Sequence, residues 1–326
     1  TLYQKIVSGV CELYEYDLNL DEARLLVCSK YWSKQQGTMA EYTSDGKIVC
    51  NATIDDKQVV VVIDDSGNLE NLEEGYIFQS VSGCDWICLV DSFPVNMFRP
   101  EYGFSYGRRN YVEPKNEALV FYNLTSGQRW AVKISEIKKL LDVDQYENFE
   151  LNHFQFNQDS NDCIGLLRAY DKSGRCRSAL FHFNPDSKLI FNILGFEVIS
   201  HFTWLSGNKI VYWGTYNGAN RSYWIVDITA SRKKVRFLND LPDGHPVRIS
   251  ENEFVTDTYP NKFGWITLYK CNLDGDIEQL MITSHPWELR TSNRCDAHPK
   301  YDPKHKKLFI DTRVGSHRTI LCLSGL

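Results

Sequence analysis

Four histidine-bearing stretches recur along the second half of the chain and restrict its fold more than any other feature. They are Asn152-His153-Phe154, Ser200-His201-Phe202, Asp243-Gly244-His245-Pro246 and Asp296-Ala297-His298-Pro299, with the histidines 48, 44 and 53 residues apart. Each leads into a few strand-like residues, a polar turn and a second apolar run: Cys163–Leu167, Lys209–Trp213, Glu253–Thr256 and Lys307–Ile310. A strand-turn-strand period of about 40–50 residues is the sequence signature of a radial β-repeat, the propeller.

The first half carries the same period with weaker markers. A strand pair, Cys11–Asp17 and Arg24–Cys28, precedes a repeat that starts at Thr38, turns at Ser44-Asp45-Gly46 and continues through Ile48–Asn51 and Gln58–Ile63. Alternation around an Asp-Gly turn is a hairpin signal. The next repeat starts at Tyr76 and contains an aromatic and charged insertion from Phe93 to Gly107. Ser135–Leu141 reads as the one helical piece, with a serine cap. The expectation is an all-β chain: one propeller domain over residues 1–326, of six or seven four-stranded blades, closed by combining the N- and C-terminal strands.

Composition bears on partners. The net charge of −6 argues against nucleic acid, because neutralising phosphate takes a basic surface. No apolar run reaches bilayer-spanning length and no secretory leader opens the sequence, so the expectation is a cytoplasmic protein without a membrane span. The ten cysteines have no metal-knuckle spacing and sit mainly in apolar runs, where they read as buried thiols. Oligomeric state is left open. There is no P-loop, nucleophile elbow or dinucleotide fingerprint.

In a propeller the first strand of each blade runs antiparallel to the second, so first-strand starts and second-strand ends emerge on one face. The histidines mark the starts. The ends read Arg168-Ala-Tyr170, Gly214-Thr-Tyr216, Asp257-Thr-Tyr259 and Asp311-Thr-Arg313. One mouth thus gathers imidazoles, carboxylates, guanidiniums and phenols. Such a set suits a divalent ion such as manganese, calcium or zinc, or a polar substrate. It is equally the inventory of a propeller whose histidines only tie neighbouring loops together.

Two resemblances narrow the chemistry. Asn293-Arg-Cys-Asp296-Ala-His298-Pro299-Lys-Tyr301-Asp-Pro303, Lys307-Leu-Phe-Ile-Asp311 and Gly315-Ser-His-Arg-Thr-Ile-Leu321 resemble the final repeat of the oligogalacturonate lyases. Ser200-His201-Phe-Thr-Trp204-Leu-Ser-Gly207 resembles the preceding repeat of that TolB-like propeller family, and the likeness covers residues 148–326. It implies β-elimination on a uronate-containing glycan with a divalent metal, manganese or calcium. It also implies metal ligation by His245 and His298, with Asp296 and Asn293 standing where the family has histidine and glutamine. The family's arginine base is best matched by Arg177, with Arg168 as the neighbour. Phe98-Arg99-Pro-Glu-Tyr102-Gly-Phe-Ser-Tyr106, Gln35-Gln36-Gly37, Asn152-His153 and Asp257-Thr-Tyr259-Pro resemble a group of propellers encoded among bacterial polysaccharide genes.

On that reading His201 or Tyr259 protonates the leaving oxygen. Arg99, Tyr102, Tyr106, His153, Asp257, Asp311 and Arg313 contact the sugar. A hydrolase or transferase of surface-polysaccharide assembly working through Asp257, Asp296 or Asp311 remains the alternative, as does a non-catalytic glycan- or protein-binding propeller.

Overall fold

The computed structural model describes residues 1–17, 20–98, 115–141, 146–229, 232–285, 295–315 and 317–325. Their strands form seven antiparallel sheets, spanning residues 2–29, 41–74, 76–132, 146–197, 199–239, 247–284 and 300–324. Within every sheet the spatial order of strands is their order in the sequence. The first and last sheets have three strands and the other five have four. The architecture is all-β: a seven-bladed β-propeller, each sheet one blade.

Among the described residues the expected joint closing blade is not formed. Strand Leu2–Val7 pairs with Val10–Asp17 across a tight turn, and His317–Ser324 pairs with Lys307–Val314. Each terminal strand is the edge of its own three-stranded sheet, paired with its sequence neighbour rather than with the other end of the chain. Contacts divide the chain into two compact units, one of residues 1–176 and 181–192, the other of residues 177–180 and 193–326. The fourth sheet has residues in both.

The core of each unit lies between successive sheets. Strand Lys57–Ile63 contains four consecutive valines and is buried from Gln58 onward. Val59, Val61 and Ile63, with Cys50 and Ala52, pack on Leu13 and Val27 of the first sheet. Val60 and Val62, with Val49, pack on Phe78, Ile87, Leu89 and Val120 of the third. A strand covered on both faces reads as a continuous β-branched run, which explains why alternation vanishes there. In the second unit Phe254 belongs to the core against the fifth sheet and Val255 to the core against the seventh.

Two short helices interrupt the strands. Ser92–Phe98 begins where Asp91 Oδ1 accepts the Phe93 N–H, turning the first part of the expected insertion into a helical turn. Ile134–Lys138 is closed at its start by Glu136, whose carboxylate accepts the Lys133 N–H at 2.8 Å, rather than by Ser135. All ten cysteines are free thiols. No helix among the described residues is long and apolar enough to cross a membrane.

One histidine–aspartate contact in the first unit has no sequence signal. His182 Nε2 lies 2.9 Å from Asp162 Oδ1, and Asp162 also accepts from Asn184 and Ser160. His182 and these donors hold the Asp162 carboxyl well below the usual range, although partial burial opposes them. A depressed carboxylate stabilises the fold above its unfolded pKa, and that contribution is lost as pH falls through its folded value. Asp162→Asn should cost roughly 1–3 kcal/mol at neutral pH. The deficit relative to wild type should shrink in strong acid, as read from urea unfolding across pH.

Candidate functional site

The site is built within the second unit, at the starts of the first strands of three successive sheets. His201 sits in strand Ile199–Trp204, where the register with Lys209–Gly214 slips between Ile199 and Phe202. Such a bulge re-aims a side chain out of strict alternation. His245 lies two residues before strand Val247–Arg248, and His298 two before Lys300–Asp302. The rings form a row, with centroids 4.3 Å apart from His201 to His245 and 4.1 Å apart from His245 to His298.

Asp257, at the end of the second strand of the sixth sheet, holds the row together. It is fully buried. Its Oδ1 accepts the His245 backbone N–H at 2.6 Å and lies 2.9 Å from His245 Nδ1. Its Oδ2 accepts the His298 backbone N–H at 3.2 Å. Gly244 is required for this approach: a Cβ there would collide with the Asp257 carbonyl oxygen. His298 has φ +39° although it precedes Pro299, a context that favours extended backbone. A non-glycine residue in that region stores about 1–3 kcal/mol and persists only where its surroundings impose it.

The two rings are shifted in opposite directions. Burial disfavours the His245 imidazolium, but Asp257 against the ring, with Asp296 and Asp243 nearby, lifts it above the ordinary histidine value. Burial raises the Asp257 carboxyl, and His245, His298 and the His245 N–H bring it back below the ordinary aspartate value. Burial and the neighbouring His245 hold His298 well below the histidine range, against the pull of Asp257. At neutral pH His298 is therefore a neutral imidazole, and its buried Nδ1 has no hydrogen-bond partner. One donor atom each from His245, Asp296 and His298 lie within 4.8 Å of one another.

These residues fit a divalent cation. The orphaned Nδ1 of His298 is the kind of buried polar atom that a ligand would satisfy. With Nδ1 of His245 engaged by Asp257, Nε2 is left as that ring's donor, the arrangement in which a carboxylate orients a ligating imidazole. Two imidazoles and a carboxylate suit manganese or zinc more than an all-oxygen calcium site.

Among the other expected site residues, Tyr259 stands edge-on to His245, ring centroids 5.5 Å apart, and 6.3 Å from His201. Asp311 donates its backbone N–H to Ala297, next to the Asp296 and His298 donors. Burial pushes its carboxyl up to about 6, against Lys300 and Arg318. Arg313 lies two residues further along the same strand, half-buried. Arg177 is on Cys176–Asn184, the third strand of its sheet, rather than on the first two strands that carry the histidines elsewhere.

His153 and Arg168 belong to the other compact unit. There His153 Nδ1 meets Asn152 Oδ1 at 2.7 Å, and Arg168 Nε lies 3.7 Å from the buried carboxylate of Glu150. Arg99, Tyr102, Tyr106 and Asn293 lie outside the described residues. The sequence reading passed over Asp243 and Ser200 as site residues. Asp243 Oδ1 and Ser200 Oγ each lie 3.1 Å from His201 Nδ1. Asp243 was open to detection, since it stands two residues before His245 in the same motif.

No protein-family model and no curated protein matches the chain. Solved structures do. A prolyl endopeptidase superposes with a TM-score of 0.57 at 10% identity, over 98% of this chain and 46% of the other. TolB of Acinetobacter baumannii matches with a TM-score of 0.47 at 15% identity, over 86% of this chain and 64% of its own. The β-propeller domain of the Trilobed protease of Pyrococcus furiosus matches with a TM-score of 0.48 at 10% identity, over 100% and 82%. The chain thus spans less than two thirds of the endopeptidase and of TolB. At these identities the endopeptidase likeness is one of fold alone.

Two outcomes check the geometry. Gly244→Ala should separate the 243–246 loop from Asp257 and destabilise the fold by roughly 1–3 kcal/mol, measured by chemical unfolding. Asp311 titrates higher in the folded chain than in the unfolded one, so the folded state binds more protons and stability falls as pH rises from about 4 to about 6. Asp311→Asn should remove that fall from the pH profile of the thermal midpoint.

Proposed function

We propose that this chain is a carbohydrate-active enzyme. In this reading it takes an acidic, uronate-containing glycan at the His245–Asp296–His298 cluster and cleaves it by β-elimination with the help of a divalent metal. The observation that carries the reading is the convergence of three donor atoms within 4.8 Å, one residue of the three having a buried, unpartnered ring nitrogen. A cluster that served only to tie loops together would have that nitrogen paired. The resemblance of residues 148–326 to oligogalacturonate lyases supports the choice of substrate.

His245, Asp296 and His298 would hold the metal, which when bound neutralises the substrate carboxylate and so acidifies the adjacent C–H. His201 is suited to the proton transfers. Asp243 and Ser200 engage its Nδ1 and so orient the ring beside the cluster. A neutral imidazole is a far more accessible base than a guanidinium, so His201 is a better choice of base than Arg177 or Arg168. Arg168 is moreover beside the buried Glu150. Tyr259, near both rings, would assist the leaving oxygen.

Metal analysis of purified protein and assay on polyuronate oligosaccharides test the reading together. Elimination creates an unsaturated uronate that absorbs in the near ultraviolet. New reducing ends without that absorbance would make the enzyme a hydrolase, and neither signal with any polyuronate would sink the reading. His298→Ala should lose metal and lower turnover more than about 100-fold, beyond the loss typical of a residue that merely supports a ligand. Its thermal midpoint should stay close to wild type, whereas a histidine that only braced loops would lower it.

A further inference from the structure

Asp257 has a place in this site that neither the sequence reading nor the comparisons assign. It was expected to touch the sugar, yet its carboxylate is fully buried beneath the histidines. Its two oxygens are shared among three donors: the backbone N–H of His245, the Nδ1 side of the His245 ring, and the backbone N–H of His298. Those donors come from two loops that the sequence separates by more than fifty residues. The His298 contact falls at the left-handed, pre-proline position, where the backbone needs an outside restraint. The His245 contact selects one tautomer, with the proton on Nδ1 and the lone pair on Nε2.

We propose that Asp257 is the positioning residue of the site: it locks His245 as the Nδ1–H tautomer and pins the 296–299 loop beside it. The ligand atoms are thereby arranged before any ligand arrives. This rests on the functional reading for its purpose but not for its test. Preorganisation matters because each ring left to rotate must be immobilised on binding. The same carboxylate fixes one ligand through its ring and the other through its backbone, so losing it releases both at once.

The first measurement needs neither metal nor variant. In apo protein with 15N-labelled histidine, at alkaline pH where the rings are neutral, the side-chain nitrogen shifts of His245 should report a single Nδ1–H tautomer. The Nε2–H tautomer, or an averaged pair as in free histidine, would overturn the proposal. In Asp257→Asn, which keeps the shape of the side chain, the His245 shifts should move toward the averaged pattern. Manganese affinity, followed by the paramagnetic resonance signal of the free ion, should fall about 10- to 100-fold. Wild-type affinity in a folded Asp257→Asn protein would equally defeat it. If wild type holds the single tautomer and the variant loses it while neither binds manganese or zinc, the positioning role stands and the metal-dependent function falls.

Discussion

A buried carboxylate facing three donors governs the second unit. Leaving Asp257 charged inside the protein is tolerable only because its oxygens are occupied by two backbone N–H groups and an imidazole. The geometry that satisfies it also dictates where His245 and His298 stand. Gly244 is small because the loop must pass against the Asp257 carbonyl, and His298 adopts a costly backbone conformation to bring its N–H within reach. The short first strands, two residues long in the sixth sheet and three in the seventh, leave the loops before them to be shaped by this carboxylate.

The charge pattern follows from the same contact. Two imidazoles with ring centres 4.1 Å apart cannot both be cationic in a covered site at ordinary pH. Asp257 breaks the tie by facing the His245 ring, which is the easier of the two to protonate, and His298 stays neutral. The neutral ring of His298 then stands with its donor atom within 4.8 Å of those of Asp296 and His245. The blades supply the rigidity beneath it, since Phe254 and Val255, just before Asp257, are packed on opposite faces by neighbouring sheets. A carboxylate at the end of so constrained a strand has little freedom to move away.

The repeat was legible because strand-turn-strand content and the spacing of the histidine motifs survive as local patterns. Three of the four histidines do form a contiguous row, and His245, Asp296 and His298 do bring donors together. His182 was missed because it lies inside a strand of apolar residues with no motif around it, and its partner Asp162 is twenty residues away across the sheet. Joint closure by the chain ends was expected from habit of the fold. Each terminal strand instead pairs with its sequence neighbour, a loop closure of far smaller entropic cost than a pairing across the whole chain.

The sequence by itself determined the all-β class, the blade period, and which residue types would crowd the first-strand starts, because these depend on alternation, turn chemistry and spacing along the chain. Tertiary structure alone decided which histidine is easier to protonate and which harder, and that Asp257 serves the rings from beneath. It also made Asp243 the partner of His201. Those outcomes depend on distances of about 3 Å between groups forty residues apart, and on how much water reaches them. Neither quantity is written in the order of residues.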